Sequence, residues 1–361
     1  MLKEENKPLA RFTTLGIGGP ARWFVEARSE EDAAEAAVWA GENKVAFFVL
    51  GGGSNLLVSD AGFDGLVLHV ALRGIAATQL PKEPGAAIYQ AAAGEPWEHV
   101  VERATKDGCA GVECLAGIPG TVGGTPVQNV GAYGQEVATA IVRVRAFDRM
   151  QHEFVEFDGG ECDFGYRHSR FNSCDRGRYI VTRVDYKLRR GGAPTVRYAD
   201  VEKALAEGRA ESGEPSLTEV AAAVRRVRQA KGMLLVDGDA DCRSAGSFFK
   251  NPIVSEEQVR QIARASGALP PRFPAGAGPG NEVQVKVPAA WLIEQAGFHK
   301  GYALGRAGIS TKHTLALVNR GDRDGNGASA AEIVALAEQI TSGVEARFGI
   351  RLEMEPVVIG F

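Results

Sequence analysis

The sequence predicts a mixed protein of the α+β class. Short apolar runs alternate with amphipathic helices whose ends are marked by capping residues and glycines. Glycine supplies 45 of 361 residues, about 12% against a usual ~7%. It is not periodic, and it gathers in loops between apolar runs, where backbone can approach a ligand closely.

Taken in order, Phe24 to Ala27 reads as a strand. Ser29 opens a helix with acids in its first turn and Ala33, Ala36, Ala37 and Ala40 on one face, and Gly41 should end it. Val45 to Leu50 is a buried strand running into Gly51-Gly52-Gly53-Ser54-Asn55, and Leu66 to Val70 is the next strand. Pro96 to Asp107 is a helix with Trp97, Val100, Val101 and Ala104 inward, closed by Gly108. Gly111 to Gly134 carries one charge, Glu113. So uncharged a segment makes a poor surface loop, and backbone wrapped around a large ligand explains it. Strands are expected at Ile141 to Asp148 and Tyr179 to Leu188, and Arg189 to Pro215 reads as an exposed excursion. Leu217 to Ala230 is a helix burying Val220, Val224 and Val227, ended by Gly232. Ser255 with Gln258, and Ser329 with Glu332, are capping boxes that open helices. Between them, Leu269 to Gly280 reads as an irregular loop and Pro288 to Gly297 as a short helix. The helix from Ser329 buries Ile333, Leu336, Ile340 and Val344, Gly349 closes it, and Glu355 to Ile359 is a strand.

Lys and Arg number 41 against 45 Asp and Glu, a net charge of −4. This argues against a nucleic-acid-binding domain. Five cysteines, Cys109, Cys114, Cys162, Cys174 and Cys242, form no C-x-x-C pair. They read as reduced thiols of a cytoplasmic protein. The first twenty residues lack the apolar core of a secretory signal. No run approaches the ~20 apolar residues of a membrane span.

Several chemical motifs fail on inspection. Leu56 stands where G-x-G-x-x-G needs its last glycine, and there is no G-K-[ST]. Asp322 to Gly327 opens like a calcium loop, but its twelfth position is Ile333. Asp237, Asp239 and Asp241 alternate in a turn with Cys242 where that loop needs glycine, and the six histidines are scattered, so no metal is expected. What remains is the glycine loop after Leu50, whose successive N–H groups suit a pyrophosphate. The uncharged segment IPGTVGGTPVQNVGAYG strengthens that reading.

Seven blocks then stand in order along essentially the whole chain: RFTTLGIGGPA, LGGGSNLLVSD, GIPGTVGG, QNVGAYG, GYRHS, AGSFFKNP and LEMEP. Together they resemble the UDP-N-acetylenolpyruvoylglucosamine reductases, flavoenzymes of bacterial peptidoglycan precursor synthesis. The resemblance implies non-covalent FAD in the fold of vanillyl-alcohol-oxidase-type flavoproteins, two α/β subdomains, plus a third α+β domain for substrate. The divisions it suggests are 1–75 joined by the terminal strand 350–361, then 76–232, then 233–349. It implies FAD contacts from Gly51, Gly52, Gly53, Ser54, Asn55, Ile118, Pro119, Gly120, Val122, Gly123, Gly124, Asn129, Gly131, Ala132 and Tyr133. NADPH would reduce FAD and leave; flavin N5 would then give hydride to C3 of the enol ether, and Ser247 a proton to C2. Arg167 and Glu355 match the pair that polarises the substrate carboxylate, with Glu355 protonated. Tyr166, Tyr198, Lys231, Asn251 and His313 match substrate-side positions, and the stretch around Tyr198 resembles the subclass with an extra substrate-covering loop. A UDP-sugar is the implied partner, and a monomer is expected. The chain departs from the family at Met354, often Pro, and His168, often Asp. GGGSNLLVSD also lacks the His or Cys that anchors flavin covalently in many related oxidases.

Overall fold

The computed structural model describes residues 2–208, 213–277, 283–321 and 327–361. They form two compact units, each built from separated stretches of chain. The first comprises Met1–Lys7, Pro20–Gly53 and Phe63–Ala230, and the second Pro8–Gly19, Ser54–Gly62 and Lys231–Phe361.

The first unit holds a four-stranded sheet in the order Lys3–Pro8, Pro20–Ala27, Phe63–Val70, Phe47–Leu50. Phe63–Val70 runs parallel to both its neighbours. Its Leu66, Val67 and Leu68 are wholly buried, the unbroken apolar run expected of a central parallel strand. Helix Glu30–Glu42 opens as predicted: Ser29 accepts from Asp32 N–H and the Asp32 carboxylate answers with the Ser29 N–H. It does not stop at Gly41. Asn43 caps it, donating its side-chain amide to the Trp39 carbonyl at 2.8 Å, and the left-handed residue is Lys44, φ 52°.

An antiparallel sheet completes this unit, in the order Glu153–Asp158, Ile141–Asp148, Tyr179–Arg190, Ala86–Ala92, Ile75–Gln79. Ile141–Asp148 is as predicted, and Tyr179–Arg190 runs two residues further. Three of the strands are not evident in the sequence. Ala86–Ala92 alternates buried Ala87, Tyr89 and Ala91 with more exposed neighbours, but alanine is a poor strand former and hides the period. Glu30 ties the parallel sheet's helix to this sheet, accepting from Arg145 Nε at 2.9 Å and the Thr182 hydroxyl at 2.6 Å.

Arg189–Pro215 is not wholly an exposed excursion. It contains helix Ala199–Gly208, which packs Val201, Ala204 and Leu205 inward at helical spacing against Leu217–Ala230. Its charged outer face masks the signal.

In the second unit one core gathers Leu15, Ile17 and Leu57 with Phe248, Phe249 and the inward faces of helices Glu256–Ser266, Ala289–Gln295 and Ala330–Phe348. Both predicted capping boxes are formed, and Gly267 and Gly349 close their helices in left-handed conformations. Strand Val357–Ile359 pairs in parallel with Leu56–Val58. The expected irregular loop after Leu269 contains strand Phe273–Ala277, paired with Val283–Lys286. Its proline and glycine content conceals an edge strand, which tolerates both. Residues 322–326 of the calcium-like stretch lie outside the described residues.

Candidate functional site

Two glycine loops of the first unit meet backbone to backbone. A Cβ placed on Gly52 would lie 2.6 Å from Gly120 Cα, and one on Gly51 2.7 Å from Thr121 Oγ1. No side chain fits there. Gly53 takes φ 59° and Gly120 φ 126°. Among the described residues, none accepts from the N–H groups of Gly52, Gly53, Gly120 or Thr121. Such uncommitted donors in glycine backbone suit an anion, so the loops fit the diphosphate of a dinucleotide.

The neighbouring candidates divide. Val122 N–H donates to Glu95 O at 2.9 Å and its side chain is core; Gly123 N–H donates to Ala93 O at 2.8 Å. Those two hold the loop rather than offering donors. Gly124 has open space on its Cβ side. Gly117, before Ile118 and Pro119, is clamped: its N–H donates to Glu98 Oε2, and its carbonyl accepts from Arg228 Nε at 2.9 Å. Arg225 pairs with Glu98. These three partners are not marked in the sequence, because helices 97–106 and 217–230 meet only in three dimensions. Val112 to Ala116 are core, which accounts for part of the uncharged character read as ligand wrapping.

Tyr133 and Arg167 occupy the tips of two tight hairpins. Gly131–Ala132 pairs with Gln135–Glu136, leaving Tyr133 (φ 48°) and Gly134 (φ 83°) as the turn. Positive φ at both positions matches the strand twist. Gly165 and His168 exchange backbone hydrogen bonds at 3.0 and 3.1 Å, so Tyr166 and Arg167 form the second tip, with Arg167 at φ 55°. A non-glycine residue there stores strain, a feature concentrated at functional sites. Arg167 Nη2 donates to Gly131 O at 3.3 Å, linking the hairpins. His168 pairs with Asp163, Nε2 to Oδ2 at 3.1 Å, on the surface.

Asn129, implied to touch the cofactor, spends its side chain on the protein. Nδ2 donates to Gly165 O at 2.8 Å and Glu136 Oε2 at 3.0 Å, while Oδ1 accepts from Ala138 N–H at 3.2 Å. It thereby fixes both hairpins. Half-exposed Tyr198 packs edge-on against Tyr133, ring centroids 5.9 Å apart.

Ser247, Glu355, Lys231, Asn251 and His313 belong to the second unit. Phe248 to Lys250 lies antiparallel to Glu353 to Glu355: Glu355 N–H donates to Phe248 O and Lys250 N–H to Glu353 O, both at 2.9 Å. Ser247 is thus one residue along the chain from Phe248, whose backbone pairs with that of Glu355. Asn55 holds the same strand, donating Nδ2 to Glu355 O at 3.3 Å. The half-buried Ser247 hydroxyl has no hydrogen-bond partner among the described residues. Asn251 Oδ1 accepts from Ala289 N–H at 2.9 Å at the start of helix Ala289–Gln295. Burial, then the charges of Lys231 and Lys300, push His313 down to about 4, so it is neutral at pH 7.

Comparison with known proteins agrees with this geometry. A family model described as an FAD binding domain matches residues 21–153, spanning both glycine loops. FAD is thus the cofactor, and the chain is a flavoprotein. A second model, the C-terminal domain of UDP-N-acetylenolpyruvoylglucosamine reductase, matches residues 238–359. The reductase of that name from Streptomyces coelicolor is 44% identical over 98% of this chain and 89% of its own length, and that of Thermobifida fusca 43% over 98% and 97%. The crystal structure of the Thermus caldophilus reductase aligns with a TM-score of 0.63 at 26% identity, covering 99% of this chain and 98% of that one. The chain belongs to the UDP-N-acetylenolpyruvoylglucosamine reductase family, whose members are oxidoreductases. Among the described residues no helix is long and apolar enough to cross a membrane, and no cluster of His, Cys, Asp or Glu is suited to a metal ion.

Proposed function

We propose that this chain reduces the enolpyruvyl group of UDP-N-acetylglucosamine enolpyruvate to the lactyl ether of UDP-N-acetylmuramate, with NADPH as the electron source. The observation that most supports this reading is the pairing of Phe248 to Lys250 with Glu353 to Glu355, which brings the segment just after Ser247 alongside the one that carries Glu355; the Ser247 hydroxyl has no hydrogen-bond partner among the described residues. FAD, held without a covalent link, would supply the hydride chemistry at C3. The residues supply the rest. Arg167 binds the substrate carboxylate and opposes the negative charge that builds up on it. Glu355, protonated, shares that task. Ser247 gives its proton to C2; a hydroxyl is a weak acid, but a developing carbanion is a strong base. Neutral His313 hydrogen-bonds substrate, while Lys231 and Tyr198 hold the diphosphate. The net charge of −4 makes such local positive charge necessary for an anionic ligand. Asn251 and Tyr166 complete the substrate side, and Tyr198 belongs to an extra covering loop. Residues 1–75 with 350–361, 76–232 and 233–349 act as the functional divisions of a cytoplasmic monomer.

Rapid mixing under anaerobic conditions tests this. Ser247→Ala keeps flavin reduction by NADPH at its normal rate and slows reoxidation by the enolpyruvyl substrate by about 10² or more. Equal slowing of both half-reactions removes Ser247 as proton donor. No substrate-dependent reoxidation in the unsubstituted protein removes the activity itself.

A further inference from the structure

Glu113 is the one charged residue between Gly111 and Gly134, and it is wholly buried. A buried carboxylate is costly unless its oxygens are satisfied. Here three N–H groups from three chain segments do so. Gly111 N–H donates to Oε2 at 2.8 Å, while Oε1 accepts from Gln135 Nε2 at 2.7 Å and from Thr195 N–H at 2.9 Å. The next residue repeats the pattern: Cys114 N–H donates to Gln135 Oε1 at 2.8 Å, and its thiol donates to Thr195 O at 2.9 Å. Burial holds that thiol protonated, pushed up to about 12. Gln135 closes the hairpin whose turn carries Tyr133, and Thr195 lies three residues before Tyr198. One carboxylate oxygen therefore sets the spacing between the segments that bring the two rings together. The segment 193–198 has no secondary structure of its own to do this.

We propose that Glu113 is a positioning residue for substrate binding: it fixes Tyr198, through Thr195, against the Tyr133 hairpin. This rests on the reading of Tyr198 as a substrate-side residue. Glu113→Gln keeps the shape but turns an amide NH₂ toward one of the three donors. Thr195→Pro removes a single donor, leaves the carboxylate in place, and carries the test should the first variant fail to fold.

Two readouts on FAD-loaded protein separate the possibilities. Limited trypsin cleavage after Arg197, followed by mass spectrometry, reports on the anchor without reference to function, and either variant raises its rate severalfold. Steady-state kinetics with UDP-N-acetylglucosamine enolpyruvate report on positioning: KM rises on the order of tenfold with kcat nearly unchanged, the pattern of lost binding in ground and transition states alike. In a Tyr198→Ala background the Glu113→Gln effect on KM disappears, because both changes act through one ring. Unchanged cleavage overturns the anchor. Raised cleavage with unchanged KM, where Tyr198→Ala alone raises KM, overturns positioning. A Tyr198→Ala protein with normal KM overturns the reading of Tyr198, and the positioning role falls with it.

Discussion

Asn129 offers the sharpest test of how the candidate site is held together. Its side chain is buried, its backbone is left-handed at φ 40°, and it makes three hydrogen bonds. The bond to surface-exposed Glu136 contributes little, because water competes for it. The bonds to Gly165 O and from Ala138 N–H each contribute about 1 kcal/mol, and more where truncation leaves a buried group unpaired. Asn129→Gly removes them without backbone penalty and should cost about 2–3 kcal/mol. Asn129→Ala loses the same bonds but keeps a left-handed β-carbon that glycine lacks, so it should be about 1 kcal/mol less stable than the glycine variant. Urea unfolding of the FAD-loaded proteins, followed by tryptophan fluorescence, measures both as shifts in midpoint at constant slope. Values within about 0.5 kcal/mol of the unsubstituted protein would refute the hydrogen-bond argument. An alanine variant as stable as the glycine variant refutes the backbone argument alone. The Tyr166-Arg167 hairpin hangs on the Gly165 bond, so both variants also raise KM.

Two further outcomes are expected. Gly52→Ala forces a methyl to 2.6 Å from Gly120 Cα, and backbone cannot step aside cheaply; the purified protein should retain much less flavin, read as the ratio of visible to ultraviolet absorbance, and normal retention removes the two-loop contact from the cofactor site. His313 has a folded pKa of about 4 against an ordinary 6.5, so between those values the unfolded chain binds the extra proton and stability falls as pH drops. Comparing unfolding midpoints at pH 7.5 and 4.5, His313→Gln should lose less than the unsubstituted protein; an equal loss shows that His313 does not titrate as argued.

Legibility varied with the range of the interaction. Both capping boxes, at Ser255 and Ser329, were readable because each is complete within four residues. The glycine loops were readable as a pair, but not their mutual contact. Asn129 was singled out only by the resemblance, and its part as a brace was illegible, since Gly165 is 36 positions away. Glu113 stood out as the lone charge in an uncharged stretch, and that oddity was the available sign of a buried network. Helix Ala199–Gly208 and strand Ala86–Ala92 were missed where composition obscured a period that is present.

By itself, then, the sequence determined the α+β class, the helices that carry their own start and stop signals, and the family, because seven ordered blocks carry residue identities. Tertiary structure alone decided that Pro8–Gly19 and Ser54–Gly62 join the second unit with Lys231–Phe361. It also decided that Val357–Ile359 lies beside Leu56–Val58, and that Phe248 to Lys250 pairs with Glu353 to Glu355. The physical reason is that a strand's pattern records that one face is buried but not which strand will cover it. That partner is chosen when residues some 300 positions apart close a common core, and no local run of amino acids contains the choice.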